Sequence, residues 1–99
     1  MYIEEVSGEG CLQINVEGKI DSLSSEEFQT TLLKGFQKSN NIVLNMEKVP
    51  YISSAALRAL TLGHKTASSK GGKLTLINVQ PSVSDVFRTT GFDKMLDIK

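Results

Sequence analysis

The stretch Asn45–Leu62, NMEKVPYISSAALRALTL, decides how this chain folds and where its function is to be sought. It opens at the tail of a short apolar run, Ile42-Val43-Leu44-Asn45-Met46, whose length and β-branched start favour a buried central strand over a helix. Glu47-Lys48-Val49-Pro50-Tyr51-Ile52 leads out of that strand, and from Ser53 the apolar period becomes helical. On a wheel of about 100° per residue, Ser53, Leu57, Leu60, His64 and Ser68 share one face, with Ala56 and Ala67 beside it. Gly71-Gly72 stops the pattern, so the spacing predicts a helix over about Ser53 to Ser69. In open α/β sheets such a junction, at the carboxyl end of a strand, is where ligands and partners meet the fold.

The two serines at that junction have an ordinary explanation. Serine at a helix N-terminus accepts a hydrogen bond from a free backbone amide and stabilises the helix by about 1 kcal/mol. One serine suffices for that, and Ser53 and Ser54 therefore remain candidates for a cap, for a functional hydroxyl, or for both.

Upstream, Leu12, Ile14 and Val16 alternate strictly with Gln13, Asn15 and Glu17, the signature of a strand covered on one side. Tyr2-Ile3-Glu4-Glu5-Val6 precedes it across Ser7-Gly8-Glu9-Gly10, which reads as an antiparallel hairpin. Phe28, Leu32 and Phe36 then recur every fourth residue with Leu23 and Leu33 flanking, predicting a helix from about Ser22 to Lys38. Ser22 or Ser24 can cap it, and Glu26 and Glu27 favour its positive end. Downstream come a strand over Lys73 to Val79, a short helix after Pro81 marked by Val83, Val86 and Phe87, and a break at Gly91. Met95-Leu96-Asp97-Ile98 forms a last strand or a frayed tail. The order β-β-α-β-α-β-α-β specifies an α/β fold in one domain, 1–99. Its sheet is mixed and mostly parallel, with four to five strands, an N-terminal antiparallel hairpin and about three helices. If the second and third strands run parallel, Gly18-Lys19-Ile20-Asp21 leaves the sheet at the same edge as Ser53-Ser54. Asp21 is then either a turn residue and helix-terminal charge or an acceptor for a serine hydroxyl.

Composition removes most alternatives. In 99 residues, eleven Lys+Arg balance eleven Asp+Glu, leaving no net charge and no basic footprint for nucleic acid. The apolar fraction of 39 % and charged fraction of 22 % belong to a globular chain, which excludes wholesale disorder. No apolar run reaches the ~20 residues that cross a bilayer, and MYIEEV lacks the regions of a signal peptide. One cysteine, Cys11, builds neither a disulfide framework nor a multi-thiolate metal site, and the expected compartment is a reducing cytoplasm. His64 is the sole histidine and lies on the apolar stripe, as a partly buried histidine would. It stands ten residues from Ser54 on one helix, about 15 Å along the axis, too far for a nucleophile–base pair. Gly72-Lys73 lacks the earlier glycine and the following Ser or Thr of a phosphate-binding loop. The expectation is a binding module, not an enzyme, with no metal and no cofactor.

The residues taken together resemble a known family. Val16-x-Gly18-x-Ile20-Asp21, then Ile42-Val43-Leu44-Asn45, then Tyr51-Ile52-Ser53-Ser54-Ala55-Ala56-Leu57-Arg58-Ala59-Leu60 are similar to the STAS domain. Gly71-Gly72-x-Leu74-x-Leu76-x-Asn78-Val79 and Val86-Phe87-x-x-x-Gly91-Phe92 resemble its second half, so the likeness covers nearly the whole chain. Stand-alone STAS domains of this length resemble bacterial anti-sigma factor antagonists. In that family a serine at the start of the second helix is phosphorylated by a partner that is both kinase and anti-sigma factor. The unphosphorylated form binds that partner and frees the sigma factor; the phosphorylated form lets go, and a serine phosphatase resets it. By position, the resemblance implies Ser54 as acceptor, with Asp21 as its acidic neighbour. Ser53 stands where the family commonly has aspartate and Ala56 where it has glycine, which leaves Ser53 as a second possible acceptor. The implied partner surface comprises Ile20, Asp21, Tyr51, Ile52, Ser53, Ser54, Arg58 and Leu62. Leu62 points away from the Leu57/Leu60 stripe, where it either packs under another element or adds apolar area to that surface. The alternative is an accessory STAS subunit of a transport or lipid-trafficking complex, docking through the same face without phosphorylation. Oligomeric state is not legible in the sequence.

Overall fold

Strict alternation produces β2 (Cys11–Glu17), which pairs antiparallel with β1 (Tyr2–Gly8) across a two-residue turn with Gly10 at positive φ. The computed structural model describes residues 1–99. After β2 come α1 (Ser25–Lys38), β3 (Asn41–Lys48), α2 (Ser54–Ser69), β4 (Lys73–Ile77), α3 (Pro81–Thr90), α4 (Phe92–Met95) and β5 (Asp97–Ile98). The five strands form one sheet in the order β1-β2-β3-β4-β5, with every pair after the hairpin parallel. This is the mixed, mostly parallel α/β architecture expected from the sequence.

Each crossover steps one strand in the same direction, and right-handed connections then place α1, α2 and α3 on one face of the sheet. Burial follows that geometry. Leu12, Ile14 and Val16 of β2, Ile42, Leu44 and Met46 of β3, and Leu74 and Leu76 of β4 are buried under the helices. They form one core with Phe28, Leu32 and Phe36 of α1, Leu57 and Leu60 of α2, and Val83 and Phe87 of α3. Their neighbours Gln13, Asn15, Val43, Asn45 and Thr75 point to the other face and are only half-buried. The central strand β3 is therefore covered on one side, and its apolar run is interrupted where the uncovered side requires polar residues.

Close packing of α1 on α2 and the sheet depends on missing side chains. A Cβ on Gly35 would lie 2.8 Å from Ile42 Cδ1 and 3.3 Å from Leu12 Cδ2; one on Gly63 would meet Leu74 and Leu32 at 3.2 and 3.3 Å. Gly63, outside the apolar stripe read from the sequence, is buried for that reason.

Several boundaries differ from expectation. Residues 22–24 form turns, and α1 starts at Ser25. Neither Ser22 nor Ser24 caps it; Asp21 Oδ1 accepts from the amides of Leu23 and Ser24 instead. Leu23 consequently precedes the helix and is 91 % exposed, where the helical pattern had placed it beside the stripe. β4 stops at Ile77 because Asn78 turns into the left-handed region at φ 57. A fourth helix of one turn follows Gly91, whose φ of 81 ends α3. The last segment is a strand of two residues, not a frayed tail.

Candidate functional site at the carboxyl edge of the sheet

The parallel pairing of β2 and β3 brings two loops together at one edge. Past the strands, Ile20 and Ile52 form an isolated parallel bridge. Gly18 N donates to Lys48 O at 2.9 Å, Ile20 N to Tyr51 O at 3.0 Å, and Ser53 N to Ile20 O at 2.8 Å. The β2–α1 loop and the β3–α2 loop thus continue the sheet by backbone bonds until α2 begins. Their side chains anchor the junction from below: Ile20 is 0 %, Val49 0 % and Ile52 3 % exposed. Ile20 and Ile52, expected on the partner surface, are core residues, because the bridge turns them under the helices. They fix the loops and offer no side-chain surface.

The serine pair divides its roles. Ser53 is the N-cap of α2, in extended conformation, and its hydroxyl accepts from Ala56 N at 3.2 Å. Its carbonyl accepts the first helical bond, from Leu57 N at 3.0 Å. Ser54 is the first helical residue; it is exposed, and its hydroxyl takes part in no hydrogen bond within the chain. The amides of Ser54 and Ala55 also have no acceptor in the chain, as the first amides of a helix commonly lack one. No acidic side chain occupies the first turn of α2, whereas α1 carries Glu26 and Glu27 there. The positive end of the α2 dipole is therefore free for an anionic group.

Asp21 stands beside this junction but is turned to its own loop. Its Oδ1 accepts from Leu23 N, Ser24 N and the Ser24 hydroxyl, each at 3.0 Å, while Asp21 N donates to Ser24 Oγ. No hydrogen bond joins it to Ser53 or Ser54, so the hydroxyl contact considered from sequence is not made. The Ser24 amide, then the Ser24 hydroxyl, stabilise the carboxylate and hold the Asp21 pKa below its usual range, against a smaller opposing effect of burial.

Exposed side chains flank Ser54 in the chain: Tyr51 at 50 % before it, Arg58 one turn along α2 and Leu62, at 38 %, two turns along. Leu62 lies outside the hydrophobic core. Leu23, at the tip of the Asp21 loop, was absent from the residues expected here. The sequence signal is Asp21-x-x-Ser24, whose side chains each accept from the other's amide and hold the turn that carries Leu23 ahead of α1. His64 lies half-buried on α2, away from this edge. No helix is long and apolar enough to cross a membrane.

Comparison with known proteins places this geometry. The family model of the STAS domain matches residues 2–99. Among curated proteins, one from Bordetella bronchiseptica named as a candidate anti-sigma factor antagonist, BtrV, is 32 % identical over 85 residues, spanning 85 % of this chain and 73 % of that protein. Among solved structures, a candidate anti-sigma factor antagonist from Thermotoga maritima superposes with a TM-score of 0.86 at 22 % identity, covering 97 % of this chain and 84 % of the other. The Bacillus cell fate determinant SpoIIAA in its phosphorylated form gives 0.75 at 15 % identity, covering 99 % and 91 %. At these identities the structural matches speak for the fold.

Proposed function

The chain belongs to the STAS domain family, and from that premise we propose that it is a phosphorylation-switched anti-sigma factor antagonist, a binding module acting in the cytoplasm. In its unphosphorylated form it binds an anti-sigma factor with serine kinase activity and so releases a sigma factor. Phosphorylation of Ser54 ends that binding, and a serine phosphatase restores it. The observation that carries the reading is the free, exposed Ser54 hydroxyl on the first residue of α2, at an edge where two loops are held together. The named Bordetella relative, at 32 % identity, supports the same direction.

The physics of such a switch is favourable here. A phosphoryl group brings about −1.5 to −2 charges. On Ser54 it meets two unpaired amides and a helix end with no competing acid, so the fold tolerates it. Arg58 lies four residues on, at the spacing of a helical ion pair. Ser53 is the weaker acceptor, because its hydroxyl is half-buried and already engaged by Ala56 N, whereas that of Ser54 is exposed and free. At an interface built on Tyr51, Arg58, Leu62 and Asp21 the same group introduces a charge that must be desolvated, next to an existing carboxylate. Several kcal/mol of such cost corresponds to at least a hundredfold in affinity, at about 1.4 kcal/mol per tenfold.

Incubation with the cognate kinase and ATP, followed by mass spectrometry, should place one phosphate on Ser54. Ser54→Ala should retain tight kinase binding in the presence of ATP, and Ser54→Asp should bind at least tenfold more weakly. Equal affinity of the two variants, or an unmodified Ser54, refutes the switch; permanent docking as a subunit of a transport complex would give that equality.

A further inference from the structure

The β4 strand ends before β3 does, and the gap is filled in an unusual way. Backbone pairing of β3 with β4 stops at Asn45 opposite Ile77, while β3 runs on to Lys48. From that point, side chains of the β4–α3 loop and of the first turn of α3 take over at alternate residues. Asn78 Nδ2 donates to Asn45 Oδ1 at 3.1 Å, Gln80 Nε2 to Glu47 O at 2.8 Å, and Ser82 Oγ to Pro50 O at 3.0 Å. Asn78 adopts φ 57 at the start of this run, a conformation asparagine tolerates better than most residues. Gln80 occupies the N-cap position of α3 but makes no capping bond; its side chain reaches the neighbouring loop instead.

The segment from Asn45 to Ser53 is therefore held on both flanks. On the β2 side the grip is backbone to backbone, through Gly18, Ile20 and Ser53. On the β4 side it consists of side chains that solvent can reach, acting on carbonyls seven and four residues before Ser54. The segment that leads into the serine is thus fixed from two sides, by backbone bonds on one and by side-chain bonds on the other.

We propose that the β4–α3 loop and the first turn of α3 form a positioning device for the phosphoacceptor, with Gln80 and Ser82 as positioning residues acting through Glu47 O and Pro50 O. This deepens the function proposed above and rests on it for its consequence, though not for the clamp itself. Gln80 is half-buried and Ser82 exposed, so their removal leaves the core intact.

The test is the double variant Gln80→Ala/Ser82→Ala, compared with wild type and with Ser82→Thr, which keeps the hydroxyl. By NMR hydrogen exchange, the Ser53 amide, bonded to Ile20 O, should exchange about tenfold faster in the double variant, as expected for two lost side-chain hydrogen bonds. The amides of Ile42–Leu44 should be unchanged. The kcat for Ser54 phosphorylation should fall by a similar factor at a temperature where both proteins remain folded, and Ser82→Thr should behave as wild type. Unchanged Ser53 exchange overturns the clamp, and faster exchange with a wild-type phosphorylation rate overturns the positioning role. The exchange arm needs no kinase; a wild-type protein that is never phosphorylated would sink the switch and leave that arm decisive for the clamp.

Discussion

Removing the Ser53 hydroxyl tests the division of labour between the two serines. In Ser53→Ala the bond from Ala56 N, 3.2 Å long and half-buried, is lost. Ser54 and Ala55 already have unpaired amides, so the first three amides of α2 become unpaired, and the first bonded one is Leu57 N, on Ser53 O. Loss of a serine cap costs about 1 kcal/mol, within 0.5–2. For a chain of this size that is a fall in melting temperature of roughly 4–8 °C. Ser53→Asp should behave oppositely. Aspartate caps as well as serine, and its charge meets a helix end without a first-turn acid, adding about 0.3–1 kcal/mol at neutral pH. Thermal and urea denaturation of the three proteins measure the difference, with mass spectrometry after kinase treatment as a parallel readout. Phosphate on Ser54 should persist in both variants. A Ser53→Ala protein as stable as wild type, or a Ser53→Asp protein destabilised as much as the alanine variant, would refute the capping assignment. Phosphate that disappears with Ser53 would refute the assignment of the acceptor.

Asp21→Asn should flatten the acid limb of the stability curve. The carboxylate pKa is lowered in the folded chain, so its contribution is complete above the ordinary carboxylate range and is lost as pH falls from about 4 through the lowered value; melting temperatures across that window check it. Gly35→Ala should destabilise by about 1–3 kcal/mol, because its Cβ would lie 2.8 Å from Ile42 Cδ1, and the urea midpoint should drop accordingly. Leu23→Ala, at a side chain 91 % exposed, should change stability by less than about 0.5 kcal/mol in the same urea assay.

The architecture was legible because its signals were local and repeated. Strict alternation in β2, the fourfold spacing of Phe28, Leu32 and Phe36, and paired glycines after α2 each specify an element without help from the rest. The site was legible in part. Ser53 and Ser54 stand at the strand–helix junction as their types suggest, and the parallel sheet brings the Asp21 loop beside them. What the residues could not convey is which way a side chain turns when two loops pair. Ile20 and Ile52 are apolar at a loop and read as surface, yet the bridge between them directs both inward. Asp21 pairs with Ser24 rather than with a distant serine because a partner three residues away needs no loop closure. The contacts of Asn78, Gln80 and Ser82 span 32 or 33 residues and carry no periodic mark at all.

The order β1-β2-β3-β4-β5 has a consequence for how the molecule is made. Every strand pairs with the one that precedes it in the chain, so each parallel pairing closes a single helical crossover and no strand waits for one further along. The hairpin can form first, and each later strand and its helix add to a finished edge in the sequence in which the ribosome releases them. The growing edge is always the youngest strand, and the edge formed by β5 is only two residues long, too short to template another chain.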